Sequence, residues 1–143
     1  MSEMGLEASS TRFQNGDTYS LHVPGGGALS VVPGRYLPEE VHIRPWEQAR
    51  NQLWRAEANN DGFGFRNAST GKLLGVNKNG DIACVASDLD DWERFKFESG
   101  DSGTIFYVIF KGYQQYLHQP AQWDSLQVTE HRSSAIQLQV EQE

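Results

Sequence analysis

Apolar and polar residues alternate over short stretches of this chain, and apolar residues nowhere recur at the three- and four-residue spacing of an amphipathic helix. The alternating stretches are rich in aromatic and branched side chains, and Gly, Asn, Asp and Ser bound them as in turns. The candidate strands are TYSLHV, GFGF, KLLGV, DIACV, FKF, TIFYVIF, YQQYL, SLQV and IQLQV. The pattern predicts an all-β protein built from many short strands.

The apolar positions also repeat along the chain. Phe63 and Phe106 begin equivalent strands that are about 43 residues apart, and Phe95 and Leu138 keep the same spacing. Trp54 takes the corresponding place in the first segment, which has a longer loop before its third strand. We expect these three closing residues, Trp54, Phe95 and Leu138, to point into one core. The predicted repeats cover about residues 12–57, 58–98 and 99–143.

Three repeats of four strands give twelve strands, which must close on one another or leave exposed edges. A six-stranded barrel capped by three hairpins meets this requirement, and this architecture is the β-trefoil. A β-propeller also uses four strands per unit, but it usually needs at least four units. We therefore predict one β-trefoil domain over residues 12–143, after a disordered tail at residues 1–11.

Charge and apolar content exclude two classes of partner. The chain has 12 basic and 19 acidic residues and a formal net charge of -7, and its Lys and Arg residues are scattered singly. Such a surface repels phosphate backbones, so we expect no nucleic-acid partner. No stretch approaches the roughly 20 apolar residues of a membrane-spanning helix, so we expect no membrane insertion.

Cysteine content and the first residues of the chain bear on the compartment. Cys84 is the only cysteine, so no disulfide can form within the chain, and a lone thiol is easiest to keep in a reducing compartment. The N-terminal residues lack a basic segment followed by an apolar run, so we expect no secretory signal. These features predict a cytoplasmic protein. Cys84 itself occupies a repeated apolar position and is expected to be buried.

The residues Asn51-Gln52-Leu53-Trp54 contain a Gln-x-Trp motif at the end of the first repeat. With the neighbouring segments GGALSV and VHIRPWEQARNQLW, this motif resembles the ricin-B-like β-trefoil lectins, and small cytoplasmic fungal members in particular. The resemblance implies a carbohydrate-binding protein without enzymatic activity, with glycans or glycoproteins as partners and a defensive role. In that family the Gln and Trp of the motif serve the fold, so Trp54 is expected in the core.

The resemblance also implies candidate sugar-binding residues in the first repeat. Trp46 occupies the loop where such lectins place a stacking ring, Asn51 can offer a donor and an acceptor to a hydroxyl pair, and His42 flanks the same strand. For Gln52, a structural hydrogen bond and a ligand contact both remain open. Ser30 stands where the family usually has an acidic residue, as do Gly75 and His118 in the other repeats. This departure argues against galactose binding in the family's usual geometry.

The third repeat supplies a second set of candidates. Trp123 lies in the hairpin segment QPAQWDS, where a ring is hard to explain as core, so it is a candidate stacking platform. A ring folded over the end of the barrel is the alternative. Tyr113, His118 and His131 complete this set. Because single sugar sites bind weakly, we expect several sites or a homodimer to provide useful avidity.

Other chemistry finds little support in the sequence. The four histidines, His22, His42, His118 and His131, are far apart and lack metal-ligand spacing, so no metal site and no cofactor is predicted. The acidic pairs Glu39-Glu40 and Asp90-Asp91 are interpreted as solvated loop charges. A glycosidase would need two carboxylates facing each other across a cleft, so we predict that the protein is not an enzyme.

A second class of binding protein remains open. Fungal β-trefoil protease inhibitors resemble the chain in size, in the opening GDTYSL and in their lack of disulfides, and they act through loops between strands. The long segment RYLPEEVHIRPWEQARN, stiffened by Pro38 and Pro45, suits either function. Fold alone does not separate a lectin from an inhibitor.

Overall fold

The computed structural model describes residues 13–33 and 39–143, so the predicted tail and part of the long loop after residue 33 lie outside the described residues. Within the described part, no helix has the length and apolar character needed to cross a bilayer. The described residues contain three short 3-10 turns, at Arg50–Gln52, Asp91–Glu93 and Arg132–Ser134. The strands are β1 Thr18–His22, β2 Ala28–Val32, β3 Glu40–Arg44, β4 Trp54–Asn59, β5 Gly62–Asn67, β6 Leu73–Val76, β7 Ile82–Ala86, β8 Lys96–Ser99, β9 Thr104–Phe110, β10 Tyr113–His118, β11 Gln127–Thr129 and β12 Gln137–Gln142.

Six of these strands form a closed barrel. β1 pairs with both β4 and β12, β4 with β5, and β9 with both β8 and β12, all antiparallel. The remaining seam lies beside β5 and β8, where Phe63 and Phe95 exchange two backbone hydrogen bonds of 3.0 and 2.8 Å. The prediction of a β-trefoil is confirmed, because the other six strands form the three expected hairpins, β2–β3, β6–β7 and β10–β11.

The three hairpins form a cap in which the third strand of each repeat contacts the next. Glu40 pairs with Ala83, His42 with Ser125, and Asp81 with Gln127. Backbone hydrogen bonds reinforce these links, since the N–H of Ile82 donates to the carbonyl of Leu126 at 3.0 Å. The cap therefore brings side chains from all three repeats onto one surface.

The closing residues of the three repeats fill the barrel, as the sequence predicts. Trp54, Phe95 and Leu138 are each 0% exposed. The Trp54 indole also donates a hydrogen bond from Nε1 to the carbonyl of Leu29 at 3.2 Å, so its one polar atom is satisfied in the interior. Cys84 is buried as well, and burial raises the pKa of its thiol to about 12, which makes it an inert core residue.

Phe13 adds a ring that the strand pattern does not reveal. It precedes β1, is 4% exposed, and packs edge-on against Phe65 and Tyr19 with ring centroids 4.9 and 5.0 Å apart. Phe97 lies 4.7 Å from it on another side. The aromatic core thus includes a residue from outside the twelve strands.

In each of the first two repeats, one polar side chain hydrogen bonds to the backbone around the 3-10 turn. This side chain stands two positions before the buried closing residue of the repeat, Trp54 or Phe95. The Gln52 amide accepts from the N–H groups of Glu47 and Ala49 at 3.0 and 3.3 Å and donates to the carbonyl of Pro45 at 2.9 Å. In the second repeat Glu93 takes the same place, and its Oε1 accepts from the N–H of Asp90 at 3.1 Å.

A glycine makes room for the Glu93 side chain. A Cβ at Gly75 would lie only 2.8 Å from Cγ of Glu93, so a side chain at position 75 would push the glutamate outward. Glu93 is 8% exposed, and desolvation by burial raises the pKa of its carboxyl group above the ordinary value of 4.5.

We expect Trp54→Ala to lower the free energy of unfolding by about 3 to 5 kcal/mol, because it removes a large ring from the centre of the barrel. Urea unfolding followed by circular dichroism measures this change. Trp123→Ala is the matched control, since its ring is 50% exposed, and we expect a loss of less than about 0.5 kcal/mol. Equal losses in the two variants would contradict the assignment of Trp54 to the core.

Glu93→Gln should raise the free energy of unfolding by about 1 kcal/mol at neutral pH, because an amide keeps the hydrogen bond without a desolvated charge. A raised carboxyl pKa gives stability that is present below 4.5 and is lost as the pH rises through the raised value. The advantage of the variant should therefore shrink below pH 4.5. Unfolding curves from pH 3 to 8, with exposed Glu130→Gln as control, test this. A variant less stable than the parent at pH 7 would refute it.

Candidate functional site

Two of the candidates in the first repeat lie in the interior. Ser30 and Gln52 are 0% and 2% exposed, and Nε2 of Gln52 donates to Oγ of Ser30 at 3.0 Å. The Ser30 hydroxyl in turn donates to the carbonyl of Ala28 at 3.0 Å. These bonds satisfy the Gln52 amide within the protein, which favours its structural role over the ligand contact that the sequence left open. Neither side chain presents a polar atom to a partner.

Trp46 and Asn51 remain at the surface of the same repeat, with little polar capacity to spare. The Trp46 ring is half-buried and packs edge-on against His22, with ring centroids 4.9 Å apart. Nδ2 of Asn51 donates to the carbonyl of Val31 at 2.8 Å, and only its Oδ1 has no hydrogen-bond partner among the described residues. This surface therefore offers one ring and one acceptor.

The third-repeat candidates fall into separate places. His118 and His131 both contact Ser134 of the third 3-10 turn: Nδ1 of His118 lies 2.9 Å from the Ser134 carbonyl, and the N–H of Ser134 donates to the backbone carbonyl of His131. Tyr113 is 63% exposed at the start of β10, roughly 17 Å from His118 at a strand rise of about 3.3 Å per residue. Trp123 follows the far end of β10, so the strand separates it from Tyr113.

Trp123 is presented by a loop that hydrogen bonds hold in place. Its N–H donates to the carbonyl of Pro120 at 3.1 Å, and Nε2 of Gln119 donates to the carbonyl of Trp123 at 2.8 Å. The carbonyl of the next residue, Asp124, accepts from the N–H of Ile43 at 2.8 Å, which fastens the loop to β3. The loop that carries the exposed ring is therefore fastened to the hairpin cap.

A depression of about 560 Å³ lies beside Trp123 and takes residues from all three repeats. Val41, Ile82 and Leu126 are buried and give it an apolar floor. Polar side chains from the three third-strand regions surround that floor. The lining residues are Glu40, Val41, Asp81, Ile82, Trp123, Ser125, Leu126 and Gln127.

Neighbouring side chains orient the two carboxylates of this depression. Nε2 of His42 lies 2.9 Å from Oε1 of Glu40, and Nε2 of Gln127 donates to Oδ1 of Asp81 at 3.0 Å. The second oxygen of each carboxylate and Oε1 of Gln127 have no hydrogen-bond partner among the described residues. Three acceptors are thus available beside an exposed ring, and His42 supports one of them.

A second depression, of about 660 Å³, shares Glu40 and Asp81 with the first. It extends over the β6–β7 turn, where Oδ1 of Asn77 accepts from the N–H groups of Asn79 and Asp81 at 2.9 and 3.0 Å. Because two lining residues are common to both, the depressions form one continuous surface. We call this surface, lined by the residues of the two depressions, the cap groove.

Of the residues that line or support the cap groove, the sequence predicted Trp123 and His42 as candidates but not Glu40, Asp81 and Gln127. Glu40 was interpreted as a solvated charge of the pair Glu39-Glu40. The repeat alignment could have revealed this group. Equivalent positions directly before the first apolar residue of each third strand carry Glu40, Asp81 and Ser125. The threefold fold therefore places these three residues around one axis.

No protein-family model and no curated protein sequence matches the chain. Several solved structures, however, are similar to it in fold. A ricin B-like lectin from Macrolepiota procera, solved in complex with lactose, is 14% identical with a TM-score of 0.69, over 93% of this chain and 100% of that one. A lectin from Polyporus squamosus is 13% identical with a TM-score of 0.68, over 91% of this chain and 50% of that one.

A further similar structure belongs to an enzyme. The GlcNAcα1-4Gal-releasing endo-β-galactosidase from Clostridium perfringens is 17% identical with a TM-score of 0.75, over 89% of this chain. The chain spans only 32% of that enzyme's length, so the similarity concerns one part of it. At these identities the comparisons establish the architecture: the chain has the β-trefoil fold of ricin B-like lectins.

Proposed function

We propose that the protein is a carbohydrate-binding lectin whose glycan site is the cap groove beside Trp123. One observation carries the proposal: a half-exposed indole ring, carried by a hydrogen-bonded loop, borders a depression with an apolar floor and free carboxylate and amide oxygens. A sugar presents a weakly apolar face of C–H groups and edges of hydroxyl groups. Its recognition therefore needs a stacking ring together with oriented acceptors, which this surface combines.

Each side chain has a distinct role in the proposed site. Trp123 stacks against the apolar face of a pyranose ring, and the free oxygens of Glu40 and Asp81 accept hydrogen bonds from sugar hydroxyls. His42 and Gln127 act through these carboxylates, because each fixes the opposite oxygen. The extension over the β6–β7 turn gives room for a second sugar unit, so the expected partners are glycans or glycoproteins.

The proposed activity is binding without bond cleavage. Glycoside hydrolysis uses a pair of carboxyl groups placed on either side of the scissile bond in a cleft. Glu40 and Asp81 instead line an open surface depression, and each already accepts a hydrogen bond from a neighbouring side chain.

The surface with Trp46 and Asn51 is a second, weaker candidate, since it offers a ring and one acceptor. Weak individual sites would gain from several sites on one chain or from a homodimer, because the second contact then forms at high effective concentration. A cytoplasmic location and a defensive role stay predictions from the sequence and its resemblance to fungal lectins.

Trp123→Ala should lower the affinity for the glycan that the parent protein binds by about tenfold or more, which corresponds to the loss of about 1.4 kcal/mol of stacking. A glycan array identifies the ligand, and isothermal titration calorimetry measures the affinity. Tyr113→Ala is the matched control, because it removes an exposed ring (63% against 50% for Trp123) at the other end of β10 and should leave the affinity unchanged.

Two outcomes of this experiment would contradict the assignment of the glycan site to the cap groove. If Trp46→Ala abolishes binding while Trp123→Ala retains it, the site lies in the first repeat. If the array is blank and the same sample inhibits a cysteine protease tightly, the protein is an inhibitor and not a lectin. Circular dichroism of each variant separates a lost contact from a lost fold.

A further inference from the structure

A group of polar side chains lies on the outer face of the seam between the first and last strands. β1 and β12 pair antiparallel, with Ser20 opposite Glu141, and Tyr19 and Leu21 of β1 point into the core. Because side chains alternate along a strand, Ser20 and His22 share the opposite face. Glu141 lies on the paired strand, and the N–H of Glu143 donates to the carbonyl of Thr18 at 2.9 Å.

Three metal-ligating side chains converge on this face. One ring nitrogen of His22 and one carboxylate oxygen each from Glu141 and Glu143 all lie within 4.8 Å of one another. Nε2 of His22 is 3.9 Å from Oε1 of Glu141. One imidazole nitrogen and two carboxylate oxygens form a donor set that Zn²⁺ and related divalent transition ions accept.

We propose that His22, Glu141 and Glu143 bind a divalent transition-metal ion of the Zn²⁺ type, with water as the fourth ligand. Donors around a tetrahedral zinc ion stand about 3.4 Å apart, given metal–ligand bonds of about 2.1 Å. The present spacing is slightly wider, and both glutamates are exposed, so side-chain rotation alone can bring the oxygens inward. The backbone of the two paired strands need not move.

Ser20 supports the site from beneath. Its buried hydroxyl donates to Oε2 of Glu143 at 2.6 Å and lies 2.8 Å from Nε2 of His22. A hydroxyl that fixes a ligating carboxylate is a typical outer partner of a metal site. To bind the metal, the imidazole must turn Nε2 away from the Ser20 hydroxyl and lose the Nε2 proton, while the hydroxyl keeps its bond to Glu143. Ser20 is therefore a positioning residue and not a ligand.

Metal binding here would have two physical consequences that can be measured. The ion would link β1 to β12, which barrel closure brings together only in the folded chain, so it would stabilise the folded state by mass action. It would also sit beside Trp46, whose ring centroid is 4.9 Å from that of His22. A paramagnetic ion such as Cu²⁺ at His22 should therefore quench the fluorescence of Trp46.

The test uses the full chain after treatment with EDTA and dialysis. We expect ZnCl2 to raise the thermal unfolding temperature, with one ion bound per chain in calorimetry, and CuCl2 to quench tryptophan fluorescence in a way that EDTA reverses, because Cu²⁺ binds such donors more tightly than Zn²⁺. His22→Gln should abolish both effects, whereas His131→Gln, which removes an exposed histidine of the third repeat, should preserve them. Ser20→Ala should weaken binding by about tenfold. Trp46→Phe should lose the quenching but keep the thermal shift.

Several results would overturn the proposal. It fails if ZnCl2 leaves the unfolding temperature of the parent protein unchanged, or if His22→Gln binds the ion as tightly as the parent. It also fails if His131→Gln loses the effect as fully as His22→Gln, which would indicate adventitious binding by histidines. Should His22→Gln not fold, Glu143→Gln replaces it, because that side chain is exposed, and unchanged Zn²⁺ affinity in this variant also refutes the site.

Discussion

Burial of Trp54, Phe95 and Leu138 inside the barrel is the constraint on which the rest of the structure depends. Each residue closes one repeat and each is withdrawn from water, so the three repeats must come together around a common axis before any of them is stable. The barrel then leaves six strands for hairpins, and these can only pack across one end. The contacts among third strands follow from this arrangement.

Much of this architecture was predictable because it rests on periodicity. Alternation with a period of two, repeated three times, was enough to identify the strands and the closing residues. Phe13 was not predictable, since a single ring among polar turn residues carries no pattern, and its burial depends on rings from other strands. The pairing of Gln52 with Ser30 was also hidden, because it depends on how the first 3-10 turn packs against β2.

The candidate site was harder to predict from the sequence than the fold. A charged residue such as Glu40 looks like any solvated residue of a loop until the neighbouring strands are in place. Its importance arises from Asp81 and Trp123, which the fold brings to the same surface from other repeats. The equivalent positions have diverged: two carry carboxylates, the third carries Ser125, and only the third repeat adds the exposed ring. A symmetric scaffold thus carries one asymmetric groove.

The residues that line the cap groove come from all three repeats, so the groove cannot form from one repeat alone. A fragment of one or two repeats would hold some of the polar groups but not the shape that gathers them. The proposed binding surface therefore requires all three repeats to be folded. If the cap groove is the glycan site, a newly made chain would bind its ligand only after all three repeats have folded, so binding would report a fully folded molecule.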